Sequence, residues 1–156
     1  MFAAALEKFR HVGDRTMEAW SLHMLGGAQV RLGDYTTAAD NLAHALRHFH
    51  AAGDAAGLTL VLDDLSSLAL ALDDPERAAR LWGAARNLTN ATGAGLAAFV
   101  DGWIEQSVRP NVRKSLAPDV LAALAREGAA MPIDEAVAYA LGVSVDALDS
   151  LPVEPS

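Results

Sequence analysis

The apolar positions of the chain recur in blocks that fit helices joined by short turns. In residues 15–32 the apolar positions near helical spacing are Trp20, Leu22, Leu25, Ala28 and Leu32. Gly33 and Asp34 interrupt that block, as a helix end does. A second stripe runs from Tyr35 to about Phe49, with Ala38, Leu42, Ala45, Leu46 and Phe49 facing inward. The pattern predicts two helices, over residues 15–32 and from Tyr35 to about Phe49.

The same pattern returns 40 residues later. The matching pairs are Phe9 and Phe49, Gly13-Asp14 and Gly53-Asp54, Leu22 and Leu62, Leu25 and Leu65, Leu32 and Leu72, and Ala38 and Ala78. A partial third copy aligns Ala5, Ala45 and Ala85. The second unit predicts helices over Leu58–Leu72 and from Glu76 to about Asn90, separated by Asp73-Asp74-Pro75. Residues 1 to about 12 then correspond to the second helix of a preceding unit, as expected for a piece of a longer parent protein.

The repeat fades after Gly93. Val100, Trp103, Ile104 and Val108 still form an apolar helical face, which Pro110 closes or kinks. Two short helices are predicted over Ala117–Arg126 and Pro132–Leu141, a last turn over Val143–Leu151, and a disordered tail over 152–156. Because the last unit of a stacked array exposes an apolar face, residues 94–151 are expected to cap it.

The repeated residues resemble the signature of tetratricopeptide repeats. The resemblance lies in Leu25-Gly26, Ala28, Leu32-Gly33-Asp34-Tyr35, Ala38, Leu42 and Ala45-Leu46, within a longer unit than is usual. The second copy keeps fewer of the signature residues, with Ser66 in place of Gly26 and Pro75 in place of Tyr35. The resemblance covers about residues 1–93. It implies an all-α solenoid of antiparallel helix pairs, with a half unit over 1–12, full units over about 13–52 and 53–92, and a C-terminal helical cap.

A narrower resemblance begins at Glu76. The C-terminus of large bacterial LuxR-type and cyclase-linked regulators resembles three stretches of this chain, namely Glu76-Arg-Ala-Ala-Arg-Leu-Trp through Ala91-Thr-Gly-Ala, Glu127-Gly-Ala-Ala-Met131 and Asp134-Glu-Ala-Val-Ala-Tyr-Ala-Leu141. It implies a regulatory module of a signal-responsive transcriptional regulator. The NTPase and the DNA-binding or cyclase module would then lie outside this segment.

Composition narrows the classes of function. The net charge of −8, from 20 acidic and 12 basic residues, repels phosphate backbones, so no direct nucleic acid contact is expected. The absence of cysteine excludes disulfides and thiolate zinc sites. Asp63-Asp64 interrupts the most apolar stretch, which argues against a membrane span. The N-terminus lacks the features of a signal peptide, so a cytoplasmic location is expected.

The sequence contains none of the common signatures of catalytic sites. The chain has no Gly-rich phosphate loop, no His-Glu-x-x-His and no Gly-x-Ser-x-Gly. Asp40, His44 and His48 stand four residues apart, a spacing that can hold a metal ion, but they flank the inward stripe and are interpreted as a solvated polar face. The pair at 73–74 is interpreted as a turn and helix cap. No enzyme activity, cofactor or metal is therefore expected.

A binding groove is the better-supported prediction. In tetratricopeptide arrays the first helix of each unit lines the concave face. The resemblance therefore implies a groove formed by Trp20, His23, Gly27, Val30 and Arg31 of one unit with Leu60, Asp63, Ser67, Leu70 and Ala71 of the next. The candidate partner-binding residues are Trp20, His23, Arg31, Asp63 and Ser67. Packing against the preceding half unit explains Trp20 equally well.

Three functions are compatible with these features. The first is a module that binds a protein, a peptide or other domains of its parent. The second is a solenoid that encloses a small-molecule inducer. The third is a stand-alone adaptor that forms a homodimer through the N-terminal half unit, for which Phe2, Leu6 and Phe9 would have to be exposed.

Overall fold

The computed structural model describes residues 2–92, 114–148 and 150–151, without the side chains of residues 2, 3, 12 and 92. In these ranges the chain forms only helices and their connections, so the predicted all-α class is confirmed. The helices are α1 (Phe2–Val12), α2 (Arg15–Leu32), α3 (Tyr35–Ala52), α4 (Ala55–Ala71), α5 (Pro75–Thr92), α6 (Pro118–Ala130), α7 (Ile133–Leu141) and α8 (Val145–Leu148). The predicted apolar face at 100–108, the break at Pro110 and the tail at 152–156 lie outside the described residues.

The predicted helix ends differ from the observed ones between α3 and α4 and at the end of α6, which continues to Ala130 and not only to Arg126. α3 continues three residues beyond Phe49, and α4 begins at Ala55 rather than Leu58. The cause is local, because Gly53 ends α3 in a left-handed conformation and the Asp54 carboxylate accepts a hydrogen bond from the N–H of Gly57. The turn therefore needs only two residues.

Four such turns follow one another at intervals of 20 residues. Each has a residue with positive φ, namely Gly13, Gly33, Gly53 and Asp73, followed by an N-cap aspartate, namely Asp14, Asp34, Asp54 and Asp74. At the second turn the N–H of Gly33 donates to the Val30 carbonyl at 3.2 Å, and the N–H of Asp34 donates to the Gln29 carbonyl at 3.0 Å. The three other turns repeat this hydrogen-bond pattern. The period visible in the structure is therefore one helix and its turn.

The helices α1 to α5 each pack on the next helix in the chain. α2 also contacts α4, so it has helices on three sides, and this explains why its apolar positions form no single stripe. Leu32, which the sequence pattern placed on the apolar face, is 83% exposed at the end of α2. Leu6 of α1 is buried, so the expectation that it is exposed for dimerisation is wrong. Phe9 is half-buried.

Helix α6 crosses α5 at close range because each helix has a glycine at the crossing. A Cβ at Gly83 would overlap the carbonyl of Ala125, and a Cβ at Gly128 would overlap the carbonyl of Arg80. The Arg80 Nε also donates to the Glu127 carboxylate at 2.9 Å. The two backbones therefore touch directly.

Helix α7 is held by one arginine of α5. The Arg77 guanidinium donates to the carbonyls of Tyr139 at 3.1 Å and Ala140 at 2.9 Å, and it lies 5.0 Å from the centroid of the Tyr139 ring. A second contact joins α7 to α3, where the His50 Nε2 lies 2.7 Å from the Asp134 Oδ1. None of the helices in the described ranges has the length and apolar content needed to cross a membrane.

Candidate functional site

A cleft of ≈ 440 Å³ opens between α2 and α4. Its walls are formed by Trp20, His23, Met24, Gly27 and Arg31 from α2 and by Leu60 and Asp64 from α4. Trp20, Met24, Gly27 and Arg31 follow one another at steps of three or four residues, His23 lies beside Met24, and Leu60 and Asp64 are four apart, so each helix presents one face to the cleft. The cleft is thus built by the first helices of the two repeated units.

A buried polar pair joins the two walls. The His23 Nε2 lies 3.0 Å from the Asp64 Oδ2, and both residues are buried. Gly27 makes this approach possible, since a Cβ at that position would lie 2.7 Å from the same Asp64 oxygen. The glycine, the imidazole and the carboxylate therefore form one unit that sets the spacing of α2 and α4.

The second nitrogen of His23 has no hydrogen-bond partner within the described part of the chain. This Nδ1 atom is buried. The same ring contacts Asp64 through Nε2. The cleft wall thus contains one ring nitrogen that is buried and has no hydrogen-bond partner among the described residues.

Trp20 has two roles in the structure. Its ring makes edge-to-face contacts with Phe49, at 5.1 Å between centroids, and with His23, at 5.9 Å. It also lines the cleft, where it lies with Met24 and Leu60. One part of the cleft is therefore apolar, and its Trp20 ring packs against the core at Phe49.

Arg31 brings the opposite character to the cleft. It is exposed, and in the part of the chain that the structure describes it makes no ion pair. The other two charged or titratable groups of the wall, His23 and Asp64, face each other. Arg31 is therefore the charged group of the cleft that is available to a ligand.

The structure brings together three of the five candidate residues, namely Trp20, His23 and Arg31. Asp63 is fully buried instead, and Ser67 is half-buried with its hydroxyl donating to the Asp63 carbonyl at 3.1 Å. Gly27 and Leu60 of the wider predicted groove line the cleft, whereas Val30 and Leu70 pack against the core and Ala71 is exposed.

Sequence reasoning missed Met24 and Asp64. The 40-residue register assigns Asp63 the place that His23 has in α2. In the structure the two α4 residues of the wall, Leu60 and Asp64, are the counterparts of Trp20 and Met24. The counterparts of His23, Gly27 and Arg31 do not line the cleft. The i, i+4 spacing of Trp20 and Met24, which Leu60 and Asp64 repeat, was the available signal.

The histidines of α3 lie away from this cleft. Asp40 is exposed, and His44 and His48 are half-buried. Burial lowers the pKa of His48 from its ordinary value, although the negative charge of Glu18 acts in the opposite direction. Among the described residues no three metal-ligating side chains of His, Cys, Asp or Glu type come together. Asp73 and Asp74 form a turn and helix cap, as predicted.

Comparisons of this chain with protein-family models, with curated proteins and with solved structures found no match. Its function has therefore to be inferred from its own residues. The feature with the clearest chemistry is the cleft between α2 and α4.

Proposed function

We propose that this chain is a protein-binding module whose α2–α4 cleft takes an extended segment of a partner protein. The observation that carries the proposal is the cleft itself, a cavity of ≈ 440 Å³ with an apolar part and with Arg31, which makes no ion pair with the described residues. Recognition of an extended segment needs side-chain pockets together with polar groups that fix its orientation. The cleft has both.

We extend the proposal to the architecture and the parent protein. The 20-residue turns, the packing of each helix on the next and the contact of α2 with α4 support a tetratricopeptide-like solenoid. The contacts of α6 and α7 with α5 support their role as its cap. On the resemblance of Glu76 to Leu141, the parent is a LuxR-type or cyclase-linked regulator, and the partner is another protein or another domain of that parent.

The test is to select binding peptides from a random heptapeptide library and to block the cleft with a charged side chain. Met24 lines the cleft and is 41% exposed, while Met17 on the same helix is 40% exposed and lies outside it. Met24→Arg should reduce peptide binding at least tenfold, because the longer side chain fills the apolar part of the cleft and places a charge beside Trp20 and Leu60. Met17→Arg is the matched control and should bind like the wild type.

Circular dichroism of both variants should show the same helix content. Recovery of no heptapeptide, or equal binding by the Met24→Arg and Met17→Arg variants, would show that the cleft is not a peptide site.

A small-molecule ligand is the second candidate. The volume of the cleft lies within the range of about 300–1,000 Å³ that ligand pockets occupy. Thermal-shift screening with sugars and metabolites tests this function. A rise in melting temperature that the Met24→Arg variant abolishes would favour it, and a flat response beside a peptide hit would exclude it.

A further inference from the structure

The two parts of the cleft differ in the ligand groups that they can accept. Trp20, Met24 and Leu60 present apolar surface, into which a large aliphatic or aromatic side chain would be buried. Arg31 presents a guanidinium that makes no ion pair in the described ranges. Such a group favours a carboxylate, which it can bind through two parallel hydrogen bonds.

Charge elsewhere in the cleft does not oppose a carboxylate at Arg31. Among the described residues Asp64 is the one acidic residue of the wall, and its Oδ2 lies 3.0 Å from the His23 Nε2. Asp64 is only 6% exposed, so it is not open to a cation from the ligand. The net charge of −8 repels anions from the chain as a whole, and Arg31 is a local exception to that field. The charge selectivity of the cleft is therefore set by one residue.

The spacing of the two parts predicts the spacing of the ligand groups. Met24 and Arg31 are seven residues apart on α2, which is about 10 Å along the helix axis. An extended peptide rises about 3.3 Å per residue and presents alternate side chains to the same side. Side chains two or four residues apart therefore lie about 7 or 13 Å from each other, and the flexible arginine side chain can span the difference.

We infer that the cleft selects a partner segment that carries a large apolar side chain and, two or four residues away, an acidic side chain. The apolar side chain inserts between Trp20, Met24 and Leu60, and the carboxylate binds Arg31. This inference rests on the proposed function and adds the chemistry of its ligand.

The experiment repeats the heptapeptide selection with Arg31→Glu and with Arg126→Glu. Arg126 is exposed on α6 and donates a hydrogen bond to the Ala122 carbonyl of its own helix, so this variant makes the same charge change outside the cleft. The wild type and Arg126→Glu should both select a large apolar residue with Asp or Glu two or four positions away. Arg31→Glu should select Lys or Arg in the place of the acidic residue.

Affinity gives the second readout. A capped heptapeptide selected on the wild type should bind the Arg31→Glu variant about tenfold more weakly or worse, as the loss of a charge-assisted hydrogen bond predicts. The Arg126→Glu variant should bind it within about twofold of the wild type. Fluorescence anisotropy at about 0.15 M salt keeps long-range charge effects small.

Two results would overturn the inference, and they have different meanings. If the selected heptapeptides lose binding in Met24→Arg but show no acidic preference, and Arg31→Glu selects like Arg126→Glu, the ligand chemistry is wrong and the proposed function stands. If the wild type selects no heptapeptide, the proposed function fails together with the inference.

Discussion

The two helix pairs, α2–α3 and α4–α5, have the same register, but different interactions hold the two helices of each pair together. At position 26 of the first pair a glycine lets Leu42 approach, since a Cβ there would lie 2.7 Å from the Leu42 Cγ. At the matching position 66 of the second pair a buried serine donates to the Ala78 carbonyl at 2.7 Å. One pair is joined by close contact and the other by a hydrogen bond. A repeat can therefore conserve its geometry while it exchanges the interaction that holds it.

The outer surfaces of the two pairs differ for another reason. Position 83 of α5 is a glycine because α6 crosses there, whereas the matching position 43 of α3 is an alanine. Position 88 is a buried leucine, and its counterpart 48 is a half-buried histidine. The second pair has thus become more apolar and more closely covered.

The crossing of α5 and α6 gives the largest expected effect. Helix propensity alone favours alanine over glycine by about 1 kcal/mol, but Gly83→Ala should instead lower the free energy of unfolding by about 2–3 kcal/mol, because the Cβ overlaps the Ala125 carbonyl. Ala43→Gly at the matching position of α3 should cost only about 1 kcal/mol, the propensity difference. Urea unfolding followed by circular dichroism measures both. A stabilising Gly83→Ala would mean that α6 does not cross there.

Substitutions at positions 26 and 66 should have the next largest effect on the free energy of unfolding. Gly26→Ser should lower the free energy of unfolding by about 2 kcal/mol, because the added atoms displace Leu42 in a closely packed core. Ser66→Ala should lower it by about 1 kcal/mol through loss of its buried hydrogen bond. The same urea titrations apply, and equal costs for the two changes would show that the two crossings are packed alike.

The turns inside the two pairs should respond with opposite signs. Asp73 adopts a φ of 62°, where Gly33 has 81° in the first pair. Asp73→Gly should raise the free energy of unfolding by up to about 1 kcal/mol, because glycine has no steric penalty in that region. Gly33→Asp should lower it by a similar amount. Differential scanning calorimetry would resolve the changes in melting temperature of both variants. If Asp73→Gly is destabilising, the φ of Asp73 carries no steric penalty.

Replacement of His48 by the residue at its matching position, His48→Leu, should have the smallest effect and should depend on pH. Because burial lowers the pKa of folded His48 below 6.5, the folded state binds fewer protons than the unfolded state between the two pKa values. Stability is therefore full above about 6.5 and falls as the pH drops through the folded pKa. The groups around His48 that act on its charge are Glu18, which opposes the shift, and Arg15, His44 and Arg47, which add to it.

The leucine variant should lose this part of the pH dependence. Urea titrations of both proteins between about pH 7.5 and pH 5 measure the difference. If the wild type and the variant lose stability in parallel over that range, His48 does not contribute.

Sequence patterns predicted the helices well because the signals for them are local. Gly33 and Asp34 contain the whole information for a turn, since one adopts a positive φ and the other caps the next helix. The same residues at 53 and 54 were recognised as a repeat, but the extent of α3 beyond Phe49 was not, because alanines at 51 and 52 have no apolar periodicity to follow. The end of α3 is therefore determined by the cap at Gly53 and not by the spacing of its apolar positions.

The site was predicted only in part because it depends on contacts between helices. The resemblance to tetratricopeptide repeats implied Trp20, His23 and Arg31, and all three line the cleft. The register predicts Asp63, the counterpart of His23, whereas the acidic residue of the wall is Asp64, the counterpart of Met24. The crossing at Gly83 was equally inaccessible, since α6 has no counterpart in the repeat. The sequence therefore predicted the individual helices, but not the orientation of one helix relative to another.

The contact between His50 and Asp134 has a consequence for the folding of the chain. It joins residues 84 positions apart, whereas α1 to α5 each pack on an immediate neighbour in the chain. Local contacts form fast, and a distant contact must first close a long loop. The docking of α7 on α3 is therefore expected to be a late step, and in pulse-labelling hydrogen exchange the amides of α7 should become protected after those of α2 to α5.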